Sequence, residues 1–391
     1  MNHEIDLLIL TALGFYFTLG FTHLITAMNL KREAIVRRFP KKNDTVSVII
    51  PIREATPTTM EHLVSVCRQD YEHYEVIFVA ELSEHPAYKL AKKLETKFPN
   101  VKALLAGSHD SQKSIAKCHN LIHGVKQSKG DVLLFGDSDI NYPRDWITKM
   151  TSPLGEVIEG RKVDAVTSPF FMEPEGPLGI FIALSVNFVT FTTGFTNRVF
   201  RFPPYISGAS MAISRKTFYS IGMSRIWQTT FNDDLVLANT LLDSGHVIYN
   251  QHANLNHPHE AFPDFPRAKD KIIRWIITVS KFGHKSFRKM MPLLVARNFQ
   301  FQASLLLSII LLLLGFPWPF ALGIFTAGYI FSVVYRYIIG KIIEEENLDL
   351  YYLITPVSTT SMMLIYLYIK TFYRTFPWGS GTYTVKERYS V

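Results

Sequence analysis

The chain has 391 residues, 48% of them hydrophobic, 13% aromatic and only 19% charged, where soluble domains carry about 25% charge. Its net charge of +8 comes without any nucleic-acid motif, so it points to anionic lipid surfaces or phosphate-bearing substrates and away from nucleic acid. Two cysteines, Cys67 and Cys118, exclude a disulfide framework or a cysteine-based zinc site and suit a reducing compartment.

Residues 1–30 predict a membrane anchor. Leu7 to Asn29 is apolar, with His23 as its only acidic or basic residue, too long for a signal-peptide core and without a cleavage site. The linker 31–44 follows with Lys31, Arg32, Arg37, Arg38, Lys41 and Lys42, which places the chain on the cytoplasmic side after this span. From Thr45 the pattern becomes an α/β succession. Val46 to Pro51 predicts a strand, Met60 to Val66 a helix, Tyr74 to Val79 a strand and Ala87 to Phe98 a basic helix. Val101 to Leu105 predicts a third strand, Ile115 to Val125 a helix and Val132 to Phe135 a fourth strand. This βαβαβαβ order implies a mostly parallel sheet with helices on both faces. Ligands then bind beyond the C-terminal ends of the strands, where Glu81 and Asp137 fall.

Asp137-Ser138-Asp139 closes the fourth strand. On an extended segment two such carboxylates point the same way and can hold a divalent cation against a diphosphate; an acidic turn ending a strand is the plainer alternative. Leu178 to Asn197 lacks charge and is long enough to span a membrane. Its Thr, Asn and Gly content, and the need to keep later acids on the side of Asp137, favour a helix at the membrane surface or lining an acceptor pocket. Asn232 reads as the N-cap of a helix with Leu235, Ala238, Leu241 and Leu242 as its apolar stripe and Gly245 near its end. Asp233 and Asp234 then occupy the first turn, where they either complement the helix dipole or act chemically.

His252, His257 and His259 match no common zinc spacing and read as a polar loop. Residues 266–295 predict a basic amphipathic interface helix, with Ile272, Ile273, Ile276, Ile277 and Phe282 interleaved among Lys269, Lys271, Arg274, Lys281, Lys285, Arg288 and Lys289. Residues 296–375 hold the C-terminal membrane helices: a hairpin of 299–316 and 318–335 about Pro317 and Pro319, then 351–369 with Pro356 and several hydroxyl residues. A tail of 376–391 ends the chain.

The order of these motifs resembles a GT-A inverting glycosyltransferase of the family 2 type. The residues carrying the likeness are Val48-Ile49-Ile50-Pro51, Gln69-Asp70-Tyr71, Lys117-x-x-Asn120 before Gly130-Asp131, Asp137-Ser138-Asp139, Ser207-Gly208-Ala209-Ser210 with Arg215-Lys216, Asn232-Asp233-Asp234 and Lys271-x-x-Arg274-Trp275. In length, anchor and hydrophobic C-terminal segments the chain is most similar to ceramide glucosyltransferases (family 21) and bacterial lipid-glycosylating relatives. Two positions depart from the pattern: Glu81 stands where an aspartate is usual, and Lys271 replaces the Gln or Arg that opens the RW motif.

The resemblance implies a Rossmann-like GT-A domain over 45–265, in the cytoplasm, between N- and C-terminal transmembrane helices. It implies Mg²⁺ or Mn²⁺ on Asp137 and Asp139, a nucleotide-sugar held by Glu81, Lys117 and Asp137, and Asp234 as the base, tuned by Asp233. Arg274, Trp275, Lys271 and Gly208 would line the diphosphate and acceptor. The expected reaction is transfer of a hexose from a UDP-sugar to a membrane lipid hydroxyl such as that of ceramide. A processive polysaccharide synthase shares these motifs, and a transporter or scaffold with a nucleotide-binding fold is the rival of another class.

Overall fold

In the computed structural model the described residues are 39–111, 113–168, 171–172, 176–187, 206–251, 265–285, 300–342, 348–378 and 381–384, with five scattered positions between 10 and 28. The expected anchor, most of the basic linker, and His252, His257 and His259 lie outside them.

β1 (Val46–Pro51), α1 (Thr59–Cys67), β2 (Tyr74–Ala80), α2 (Pro86–Glu95), β3 (Val101–Leu105), α3 (Ala116–Gln127) and β4 (Val132–Gly136) follow the expected alternation. β1 pairs in parallel with β2 and β4, and β2 with β3. The β-branched and aromatic runs that predicted these strands are buried on both faces, as a parallel sheet covered by helices requires. Alternation sorts them into two layers: Ile49, Ile77, Leu133 and Phe135 face α3, while Val48, Ile50, Phe78 and Leu134 face α1 and α2.

The second half adds α4 (Trp146–Thr151), β5 (Ala165–Thr167), α5 (Gly176–Asn187), β6 (Ser210–Ser214), α6 (Asp234–Asp243) and β7 (Ile248–Asn250). β6 runs antiparallel between β4 and β5, and β7 lies parallel to β5. The seven strands form one mostly parallel sheet in the order β3-β2-β1-β4-β6-β5-β7.

Beyond the sheet come α7 (Phe265–Phe282), α8 (Gln300–Leu313), α9 (Trp318–Ile342), α10 (Thr355–Phe372), and a hairpin of β8 (Thr375–Trp378) and β9 (Gly381–Thr384). α8 and α9 pack together as the expected hairpin, with Gly315 at φ 82° turning the chain between them. By length and composition, Trp318–Lys341 and Tyr351–Phe372 are long and apolar enough to cross a membrane. At 14 residues, α8 reaches only about 21 Å.

Three segments differ from what the pattern suggested. The apolar stripe of α7 does not face lipid: Ile272, Ile273 and Ile277 are buried in the cluster that holds Ile49, Phe135 and Leu241. Helical periodicity fixes a stripe but not what covers it. α5, the described part of the uncharged stretch, bridges the sheet domain to the C-terminal helices. Ile182 and Ala183 enter the domain core, while Leu184 packs with Leu348 and Tyr352 and its carbonyl accepts a 2.9 Å bond from buried Arg336 of α9. α10 touches the domain at both ends. Ser358 pairs with Ser185 at 2.6 Å near its start, and Ile369 joins the Ile272–Ile273 cluster near its end. The β8 strand packs on α7, so the tail hairpin lies against the same helix that carries the RW motif.

Candidate active site

α3 begins at Ala116, so Lys117 projects from its first turn, where the helix dipole favours an anion. Surrounding acids compensate it. Its Nζ lies 2.7 Å from Asp137 Oδ1 and 2.8 Å from Asp233 Oδ2. The resemblance groups Lys117 with Glu81 and Asp137 around the nucleotide-sugar; the fold seats it between Asp137 and Asp233, the first acids of the two acidic motifs.

Asp137 and Asp139 lie on the turn after β4, not on the extended strand, because β4 ends at Gly136. Both carboxylates act on Lys271 of α7, whose Nζ is 4.0 Å from Asp139 Oδ2, and on Arg274 one helical turn on. Lys271 also stands 5.4 Å over the ring of half-buried Trp275. The RW motif thus reaches the DxD turn.

Tyr142 fixes that turn. Its buried hydroxyl accepts the Asp137 N–H at 2.8 Å and donates to the Ala209 carbonyl at 2.8 Å, joining the DxD turn to the Gly208 loop. A side chain on Gly136 would come within 2.4 Å of that hydroxyl. The Gly208 N–H donates to Asp234 Oδ2 at 3.0 Å, and Leu235 N–H to Asp234 Oδ1 at 2.7 Å. α6 starts at Asp234 with Asp233 in the cap position, but the capping oxygen is that of Asn232, which accepts the Leu235 N–H at 2.8 Å.

Gly208 is the narrowest point. A Cβ there would meet Lys117 Nζ at 2.9 Å, Asp233 Oδ2 at 3.1 Å and Asp234 Oδ2 at 3.2 Å. Two carboxylates and one ammonium therefore converge on a single glycine, and a third carboxylate, Asp137, holds the same ammonium from the other side. The Ser207–Ser210 segment is a loop only to Ala209; Ser210 opens β6, and Arg215 turns away to bind the Gly130 carbonyl and Ser128 hydroxyl.

Burial pushes the Asp234 carboxyl up to about 7, and the Asp233 charge beside it adds to the rise; the two backbone N–H groups oppose it only partly. Burial likewise raises Asp137 to about 6 against the pull of Lys117. Burial disfavours the Lys117 ammonium, yet Asp137, Asp233 and Asp234 outweigh it and hold Lys117 well above the ordinary lysine range. Burial lowers Lys271 to about 8 against the attraction of Asp139.

Glu81 follows β2 and is buried, with His109 Nδ1 2.5 Å from Oε1 and Arg53 Nη1 4.0 Å from Oε2. Tyr142, His109 and Arg53 escaped the sequence reading. Only Tyr142, an aromatic five residues past Asp137, gave a local signal.

Two carboxylates on a turn are hard oxygen donors that suit Mg²⁺ or Mn²⁺. Among the described residues no cluster of three or more His, Cys, Asp or Glu is placed to hold a metal. Asp137 and Asp139 would supply part of the oxygen shell of such an ion.

The model of glycosyl transferase family 21 matches residues 11–391, nearly the whole chain. The chain belongs to glycosyl transferase family 21. This family 21 chain is also similar to the glycosyltransferase AglE of Haloferax volcanii, 30% identical over 123 residues, which is 31% of this chain and 38% of that relative. Among solved structures it is similar to the mannosyltransferase PcManGT of Pyrobaculum calidifontis, in complex with GDP-Man and Mn²⁺, at 14% identity and TM-score 0.48, covering 92% of this chain and 98% of that one. Glucosyl-3-phosphoglycerate synthase of Mycobacterium tuberculosis, with Mn²⁺ and UDP, is similar at 16% identity and TM-score 0.39 over 62% of this chain and 79% of that one. Membership of family 21 alone places the chain among glycosyltransferases.

Proposed function

We propose that this family 21 enzyme transfers a hexose from a nucleotide-sugar, a UDP-hexose, to the hydroxyl of a membrane lipid such as ceramide, with inversion. The observation that carries this reading is the meeting of Asp137 and Asp233 on Lys117, with Asp233 and Asp234 against Gly208, beyond the C-terminal end of β4. Asp137 and Asp139 would hold Mg²⁺ or Mn²⁺, which supplies charge neutralisation for the departing diphosphate.

The two acids of the second motif divide the work by burial. Asp233 is 1% exposed and tied to Lys117, so it tunes its neighbour. Asp234 is half-buried, and its carboxyl near 7 is matched to general base work at neutral pH. Asp234 takes the acceptor hydroxyl's proton as that oxygen bonds the anomeric carbon from the face opposite the diphosphate. The bond from carbon to the diphosphate oxygen breaks, and the diphosphate leaves with the electron pair. Lys271 and Arg274 add cationic charge on the leaving-group side.

The tail hairpin against α7, and α10 touching the domain at both ends, support a topology in which the α8–α9 hairpin enters the membrane and returns while α10 lies along its cytoplasmic surface. Catalytic domain and C-terminus would then share the cytoplasmic side, as the basic linker expects. Membranes holding the protein are incubated with labelled UDP-glucose, UDP-galactose and UDP-N-acetylglucosamine and extracted with organic solvent. Label in the lipid phase supports the reading; label confined to water-soluble polymer supports a processive synthase instead.

A further inference from the structure

Arg53, Glu81 and His109 follow the C-terminal ends of three adjacent parallel strands, β1, β2 and β3. This is where ligands bind in such sheets, and the three side chains meet there across long sequence separations. Glu81 and His109 are largely buried, with side-chain exposures of 10% and 12%, while Arg53 at 35% opens to solvent. A buried carboxylate needs hydrogen-bond donors, and His109 Nδ1 at 2.5 Å is placed to be one.

The other ring nitrogen indicates the tautomer. His109 Nε2 is buried and has no hydrogen-bond partner among the described residues. A bare acceptor nitrogen there costs less than a stranded N–H, so the proton belongs on Nδ1, donated to Glu81 Oε1. The glutamate is then an acceptor-only group, oriented by the imidazole.

We propose that His109 is a positioning residue for the donor nucleobase: it aims Glu81 at a ring N–H in the middle of the base's hydrogen-bonding edge. Uracil N3 and guanine N1 carry such a proton, whereas neutral cytosine and adenine present a bare ring nitrogen there, which a carboxylate repels. The extra methylene of Glu81 over aspartate makes this support necessary, since a longer carboxylate has one more torsion to fix. The inference rests on the nucleotide-sugar reading above.

The test measures binding of UDP, GDP, CDP, ADP and inorganic pyrophosphate to the purified full chain with Mn²⁺ by calorimetry, alongside donor kinetics. In the wild type, UDP or GDP binds best, and the better of the two identifies the base. His109→Leu weakens that nucleotide about tenfold or more and raises donor KM with kcat unchanged, leaving pyrophosphate unaffected. His109→Asn, whose amide reproduces the Nδ1 donor, restores binding to within about threefold. Glu81→Gln reproduces the His109→Leu loss, and the double variant adds little to either single one, which keeps the test open if His109→Leu fails to fold. CDP or ADP binding as tightly as UDP and GDP overturns the inference, as does a His109→Leu protein with unchanged nucleotide affinity or a parallel loss for pyrophosphate. A wild type that binds no nucleoside diphosphate defeats the nucleotide-sugar reading itself.

Discussion

Replacing Gly208 by alanine tests the tightest point of the site. The new Cβ would stand 2.9 Å from Lys117 Nζ, about 0.5 Å inside the 3.4 Å at which ordinary contact begins, and also inside contact with Asp233 Oδ2 and Asp234 Oδ2. A free lysine would swing away. Here Nζ is held at 2.7 and 2.8 Å by two acids, so relief on one side lengthens an ion pair on the other. Asp234 is also hydrogen-bonded to the N–H of the residue being changed, so its carboxylate shifts with the strain. Overpacking of this kind costs about 1–3 kcal/mol in stability. The larger effect falls on rate, because a misplacement near 1 Å costs about 10²-fold. We expect Gly208→Ala to lower kcat about 10- to 100-fold with donor KM changed less than about threefold, read from lipid product formed by purified enzyme over a donor series. A kcat within about twofold of wild type would refute the convergence on Gly208 as a catalytic constraint.

Further outcomes follow from individual side chains. Asp234→Asn leaves the protein folded and lowers kcat by about 10³-fold, checked by single-turnover assay. The pH dependence has a definite sign: a base whose carboxyl is raised to about 7 is protonated below that pH, so kcat/KM falls as pH drops through 7. Because the folded value lies above the unfolded one, ionising Asp234 costs stability as pH rises from about 4 to 7, and Asp234→Asn should raise Tm at pH 8 but not at pH 4. Tyr142→Phe removes the hydroxyl bridging Asp137 N–H and Ala209 C=O, and should weaken Mn²⁺ activation about tenfold in a metal titration, with an unchanged titration refuting the bridge. Chelation with EDTA should abolish turnover, and either Mn²⁺ or Mg²⁺ should restore it.

The first half of the fold was legible because buried parallel strands are written as short β-branched runs: Val46–Pro51, Tyr74–Ala80 and Val132–Gly136 each fall within a residue or so of the expected segment. The antiparallel strand Ser210–Ser214 was not, since SMAIS carries no β-branched run and its neighbours come from distant segments. The acidic motifs and Lys271 could be named from spacing. The seat of Lys117 could not, because it depends on the packing of α3 against two turns 20 and 116 residues away. His109 sits in a loop with no pattern of its own, and the α7 stripe read as lipid-facing because amphipathicity does not reveal the partner.

The most direct measurement is the anomeric configuration of the product made by the purified enzyme from an α-linked UDP-hexose labelled with ¹³C at C1 and a ceramide acceptor in mixed micelles. NMR should show a β-linked glycolipid, formed with Mn²⁺ and absent with Asp234→Asn. An α-linked product, or equal turnover by Asp234→Asn, would contradict a single in-line displacement driven by that carboxylate.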